Sequence, residues 1–297
     1  MHPILKLENV VKTYDDYKAV NNVSFEVPCG KIFGLLGPNG AGKTSLIRII
    51  TTITRADSGT VYLNGEKLNS THPEEIGYMP EERGLYKKMK VGDLLLYLAQ
   101  LKGMSRKEAM DALRVWFEKF EIKDWWTKQV NELSKGMQQK IQFIATVIHR
   151  PKLLILDEPF SGLDPVNANL IKDEIYQLNQ SGTNIIFSTH RMEQVEEICE
   201  QIVLINKGQK IVEGAVMDIK NTYKDNLFRI NYAGDLSNDR LSQFKLISHT
   251  PGELAVQLQA GQEANGLLRH VLDSGVQLHA FNEILPSLNE IFIKQVG

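Results

Sequence analysis

The sequence predicts an α/β core over residues 1–215, followed by a small α+β domain over 216–297. Three observations carry that expectation. Lys152-Leu-Leu-Ile-Leu-Asp157 and Asn184-Ile-Ile-Phe-Ser-Thr189 are continuous apolar runs, the pattern of parallel strands covered on both faces. Residues 91–150 switch to helical spacing, with Leu94, Leu95, Leu98 and Leu101 on one stripe and Ile141, Ile144, Ala145 and Ile148 on another. Beyond Gly214, Phe228, Ile230 and Tyr232, then Leu254, Val256 and Leu258, then Val276, Leu278 and Ala280, alternate with polar neighbours as half-exposed strands do.

The remaining elements follow in chain order. Alternation at Leu5 and Leu7 and at Val23, Phe25 and Val27 predicts early strands, and residues 60–65 read as a further strand and turn. These form an antiparallel subdomain beside the core. Residues 31–37 predict a short buried strand that runs into a glycine-rich turn and then an apolar-periodic helix from Ser45. The helical stretch 91–150 reads as an insertion. In the last domain Leu267, Leu268, Val271 and Leu272, and later Leu288, Ile291 and Phe292, have helix spacing.

At 297 residues, 42% apolar and 24% charged, the chain has the composition of a folded globular protein. Thirty-four basic and 36 acidic side chains leave a net charge of −2, so no global field favours a nucleic-acid partner. No apolar stretch approaches the roughly 20 residues of a membrane span, and the start lacks a signal-peptide pattern, so a cytoplasmic location is expected. Cys29 and Cys199 are too few for a disulfide framework and are read as structural.

Gly37, Pro38, Asn39, Gly40, Ala41, Gly42, Lys43 and Thr44 satisfy G-x-x-x-x-G-K-[ST] between a predicted strand and helix. Glycines let successive amides converge on phosphate oxygens, and the helix opening at Ser45 adds its positive end. Lys43 suits the β- and γ-phosphates of ATP, and the Thr44 hydroxyl suits Mg²⁺. The fold class is thus a P-loop ATPase core with an antiparallel β subdomain and helical insertion, plus the small α+β domain. Asp157 and Glu158 end the apolar strand from Leu153. Asp157 is expected to hold Mg²⁺ through water and Glu158 to act as general base.

Further motifs, in the same order, resemble the ABC transporter ATPase family over about residues 5–214. Leu133, Ser134, Lys135, Gly136 and Met137 resemble the family signature opening a helix; Ser161, Gly162, Leu163 and Asp164 resemble its D-loop; Ser188, Thr189 and His190 resemble its switch histidine. Tyr14 stands where the family stacks an aromatic ring on adenine, plain strand packing being the alternative. The resemblance implies two ATP molecules sandwiched between head-to-tail protomers of a homodimer or of a heterodimer with a similar ATPase. Each ATP would be gripped by one phosphate loop and the other chain's signature helix, capped by Ser134. It implies that His190 senses the γ-phosphate and that Asp164 lies at the seam, though Asp164 before Pro165 also suits a helix cap.

Two departures stand out. Glu81 follows Gly77-Tyr-Met-Pro80 where the family usually has glutamine, and a carboxylate there is expected to ligate the metal. Lys135 and Met137 replace a glycine and a glutamine; Lys135 either faces the opposing nucleotide or is simply solvated.

The resemblance also implies an integral-membrane permease partner, with the chain peripheral on the inner face of the membrane. Residues 81–90 and the insertion are its expected docking place, tested by charge reversal at Glu82 and Arg83. Trp116, Phe117, Phe120, Trp125 and Trp126 are read either as insertion core or as a docking groove. The terminal domain loosely resembles accessory regions of exporter-type ATPases and carries no motif. Competing readings are a soluble ABC ATPase of repair, translation or assembly, a purely regulatory binding module, and a P-loop kinase. A long coiled coil or second cassette is absent, and Glu158 and the signature favour transport-coupled hydrolysis.

Overall fold

Strands and helices are numbered in chain order. Strands β1 (Leu5–Tyr14) and β2 (Tyr17–Val27) form a hairpin, and β3 (Ile32–Leu36) leads into α1 (Lys43–Ile50). Then come β4 (Ser58–Leu63), β5 (Glu66–Lys67), β6 (Ile76–Met79), α2 (Val91–Leu101), α3 (Arg106–Lys119), α4 (Lys135–Val147) and β7 (Leu153–Asp157). The first unit ends with α5 (Pro165–Gln180), β8 (Asn184–Thr189), α6 (Met192–Ile198), β9 (Gln201–Asn206) and β10 (Gln209–Ala215). The computed structural model describes residues 2–82, 84–237 and 241–296, and divides the chain into the units Met1–Val216 and Met217–Gly297.

The first unit holds two sheets. An antiparallel sheet runs β2-β1-β4-β5, and a six-stranded sheet runs β10-β9-β3-β8-β7-β6, parallel apart from β10. Strands β3, β7 and β8 are buried at every position. Coverage on both faces is why their sequences read as unbroken apolar runs. Their register places the carboxyl ends of β3 and β7 on either side of β8 (Leu36↔Thr189, Asp157↔Ser188), where the open edge of such sheets collects ligands.

Helices α2, α3 and α4 make up the insertion. Its aromatic residues pack on one another: the Trp116 and Phe120 rings lie 5.5 Å apart, Phe117 and Trp126 5.1 Å, and Phe120 and Phe143 6.1 Å. Phe117 and Phe120 are buried. Phe117 and Phe120 are therefore insertion core with Trp116 and Trp126 packed partly buried against them, whereas Trp125 is also partly buried and stacks on none of these rings. Gly92 serves the same contact, since a Cβ there would meet the Trp126 ring at 2.3 Å. Leu101 corrects an expectation. Its spacing predicts a buried stripe, but it ends α2 and is 61% exposed, while Leu96 and Ala99 are buried in the helix instead. Cys199 is buried and Cys29 is exposed, so only the first fits a core role.

The second unit, described by itself, contains most of α7 (Val216–Thr222), then β11 (Leu227–Ala233), β12 (Lys245–Thr250), β13 (Glu253–Gln257), α8 (Ala264–Asp273), β14 (Gln277–Ile284) and α9 (Leu288–Val296). Its sheet is antiparallel, ordered β12-β13-β11-β14, and its core gathers Phe228, Ile230, Tyr232, Leu254, Val256, Leu267 and Val271. Among the described residues no helix is long and apolar enough to cross a membrane.

Candidate active site

The turn between β3 and α1 is shaped by its neighbours. Gly42 has φ of 109°, and a Cβ on it would lie 2.2 Å from the Ala19 carbonyl oxygen; Gly37 would meet the Ile205 carbonyl oxygen at 2.1 Å. Only glycine fits either place. Gly42 caps α1 without a side chain, leaving the first amides of the helix facing the cleft as an anion site. Lys43 is buried and folds back over the turn, its Nζ donating to the carbonyls of Gly37 at 2.7 Å and Pro38 at 3.2 Å. Burial holds its ammonium below the ordinary lysine value, against the pull of the Asp157, Glu158 and Glu81 carboxylates.

Across the turn, β7 delivers two buried acids. Asp157 accepts the Ser188 hydroxyl at 2.7 Å, and burial pushes its carboxyl above the ordinary range, opposed by that hydrogen bond and by Lys43. Glu158 has a left-handed φ of 51°. Its Oε1 accepts the His190 amide at 2.8 Å and faces His190 Nδ1 at 2.7 Å; its Oε2 accepts the Thr189 hydroxyl at 3.0 Å. Against a carboxylate, Nδ1 carries the proton, so a neutral ring presents Nε2 as an acceptor.

These groups share one cleft of about 370 Å³, lined by Tyr14, Tyr17, Ala19, residues 39–45, Glu81, Asp157 and Glu158. Tyr14 is 38% exposed on its wall, so it does not serve as strand core. Ser134, Lys135, Gly136, Met137 and Asp164 do not line this cleft. Ser134 caps α4, its Oγ accepting the Met137 amide at 3.2 Å, and Lys135 is exposed. Asp164 caps α5 through the Asn167 amide at 3.0 Å, and hydrogen bonds from Asn167 hold its carboxyl below the ordinary range. The two caps are neighbours, for a Cβ on Gly136 would lie 3.7 Å from Leu163.

Sequence reasoning missed Tyr17, and it quoted Ser188 and Thr189 only as neighbours of His190, without roles of their own. The polar residues closing the β8 run, beside an apolar neighbour strand that ends in two acids, were the available signal for the latter two.

A second concavity, about 380 Å³, lies between the core and the insertion. It is lined by Ile53, Tyr78, Leu85, Leu98, Leu101, Gln142 and His149, among others. Gln142 Oε1 is buried there without a hydrogen-bond partner, and the buried His149 ring meets the Ile76 backbone. Burial and the nearby Lys102 hold the His149 pKa down to about 4, opposed by a hydrogen bond with the Ile76 backbone.

A family profile described as "ABC transporter" matches residues 20–161, and one described as "ATP-binding protein DrrA1-3-like, C-terminal domain" matches residues 214–296. "Uncharacterized ABC transporter ATP-binding protein YhaQ" of Bacillus subtilis (strain 168) is 44% identical over 298 residues, covering 99% of both chains. The chain belongs to the ABC transporter ATP-binding proteins. "Nod factor export ATP-binding protein I" of Cupriavidus metallidurans is 36% identical over 217 residues, 72% of each chain. Among solved structures, an ATP-binding subunit of an ABC transporter superposes with a TM-score of 0.69 at 28% identity, over 74% of this chain and 93% of that one. The protein is accordingly an ABC-family ATPase that binds nucleotide.

Proposed function

We propose that this ABC ATPase is the motor of an exporter, hydrolysing ATP as a dimer beneath a separate permease at the inner face of the membrane. The observation that carries the hydrolytic reading is the convergence of Lys43, Asp157 and Glu158 in one cleft, with Glu158 steered by Thr189 and His190. Lys43 would bind the terminal phosphates. Glu158 Oε2 has one protein donor and keeps acceptor capacity for a water, whose proton it would take. His190 would donate from Nε2 to a γ-phosphate while its ring carries both protons.

The donor chemistry fits Mg²⁺. Thr44, Asp157 and Glu81 offer hard oxygens in the cleft, and no cluster of three or more His, Cys, Asp or Glu forms a protein cage among the described residues. That is the arrangement Mg²⁺ takes, one or two carboxylates completed by phosphate and water. Bound there, it would neutralise charge on the terminal phosphates.

Dimerisation is supported by what the cleft lacks. Ser134, Lys135, Gly136 and Met137 open a helix outside its lining, where they would serve a second chain's nucleotide, and Asp164 would lie at the seam. A homodimer meets this need with identical surfaces; a similar ATPase would meet it as a heterodimer. The permease is assigned to the groove lined by Leu98, Leu101 and His149, where apolar walls and the unpaired buried Oε1 of Gln142 suit a protein segment. Glu82 is exposed at one end; Arg83, the other charge predicted there, lies outside the described residues. Export is supported by the Nod factor export relative and by the accessory second unit. Relatives named as transporter subunits give the soluble repair or translation reading no support.

Phosphate release without any acceptor tests the reading against a kinase. Glu158→Gln is expected to lower it at least about a hundredfold, while ATP binding persists and a nucleotide-bound dimer accumulates on size exclusion. Unaltered turnover would remove Glu158 from the role of base.

A further inference from the structure

The β1–β2 hairpin turns through Asp15 and Asp16, so Tyr14 and Tyr17 are register partners. Directly opposed residues of an antiparallel pair present their side chains on the same face. Both rings line the nucleotide cleft. Tyr17 is 55% exposed, yet its hydroxyl is anchored, donating to the Gly40 carbonyl of the phosphate loop at 3.1 Å. At the other end of the same stretch of β1, the Asp57 carboxylate takes the Thr13 amide and the Lys12 ammonium, each at 2.7 Å. Asp57 thus fixes β1 next to Tyr14, while Tyr17 bridges the tip of the hairpin to the loop that carries Lys43.

We propose that Tyr17 is a nucleotide-positioning residue, whose hydroxyl sets the separation between the base platform at Tyr14 and the phosphate loop. The proposal rests on the reading of the cleft as an ATP site. A ligand held at both ends gains from two contacts only when their spacing is set in advance; otherwise binding must order the hairpin, which costs affinity. ATP spans both ends. Inorganic tripolyphosphate reaches the phosphate loop alone and gains nothing from the bridge.

The test is calorimetric titration of the full chain with ATP and, separately, with tripolyphosphate. Wild type is compared with Tyr17→Phe, Tyr14→Ala and the double variant. Tyr17→Phe keeps the ring and removes one hydrogen bond, so ATP should bind about fivefold more weakly and tripolyphosphate within about twofold of wild type. Adding Tyr17→Phe to Tyr14→Ala should then cost less than about twofold, because the platform it positions is gone. Melting curves confirm that the variants are folded. Tyr17→Phe that leaves ATP affinity within about twofold of wild type, or weakens both ligands equally, overturns the proposal. Wild-type chain that binds no ATP sinks the site reading and this proposal together, whereas failure of Tyr17→Phe alone leaves the ATP site intact.

Discussion

The nucleotide cleft and the groove beside the insertion are nearly equal in size, about 370 and 380 Å³, yet they treat buried polar atoms in opposite ways. In the cleft Lys43, Asp157 and Glu158 each have hydrogen-bond partners on the same chain. In the groove Gln142 Oε1 has none. An unpaired buried group costs about 1–3 kcal/mol, so the groove carries a standing destabilisation that an incoming segment with polar groups would relieve. A site for a small anionic ligand is preorganised by the chain's own bonds. A surface proposed to receive a protein leaves part of its hydrogen bonding to the partner.

The contrast can be broken in three places. Leu101→Glu puts a charge on an apolar wall of the groove, and burying it under the permease is expected to weaken co-purification at least about thirtyfold. Undiminished co-purification would move the docking site elsewhere. Gly92→Ala drives a methyl into Trp126 and should lower stability by roughly 1–3 kcal/mol, read in denaturant melts. ATP affinity should hold, because Gly92 belongs to the insertion and not to the cleft; a matching loss of ATP binding would show the two regions to be coupled.

The smallest effect concerns His149. Its folded pKa, about 4, lies below the ordinary value of 6.5, so between those values the unfolded chain binds the proton more readily. Stability held at neutral pH is therefore lost as pH falls from about 6.5 to 4. His149→Leu should flatten that part of the plot of melting temperature against pH. An unchanged slope would mean that other groups dominate acid unfolding.

Much of this molecule was legible beforehand because its chemistry is local. The phosphate loop is one short run and Asp157 with Glu158 another, and a strand entering a glycine turn before a helix leaves few geometries for Gly37 to Thr44. Alternation announced β11, which buries Phe228, Ile230 and Tyr232 on one face, whereas β13 buries Leu254, Ala255 and Val256 in succession. Tyr17 was harder to read. Its role depends on facing Tyr14 across a two-residue turn and on a bond to Gly40, 23 residues away. Leu101 was misread because periodicity marks a helical stripe but not where its cover stops.

By itself the sequence determined the α/β class, the glycine turn between β3 and α1 and the acids at the end of β7, because steric demands on glycine and the apolar requirement of covered strands act over a few residues. Tertiary structure alone decided that Thr189 and His190 hold Glu158, that Trp116 and Trp126 pack against the insertion's buried phenylalanines, and that Gln142 Oε1 stands unpaired in the groove. Those outcomes depend on which distant segments meet, and hydrogen bonds and ring contacts between strands and helices are fixed only when the chain has packed.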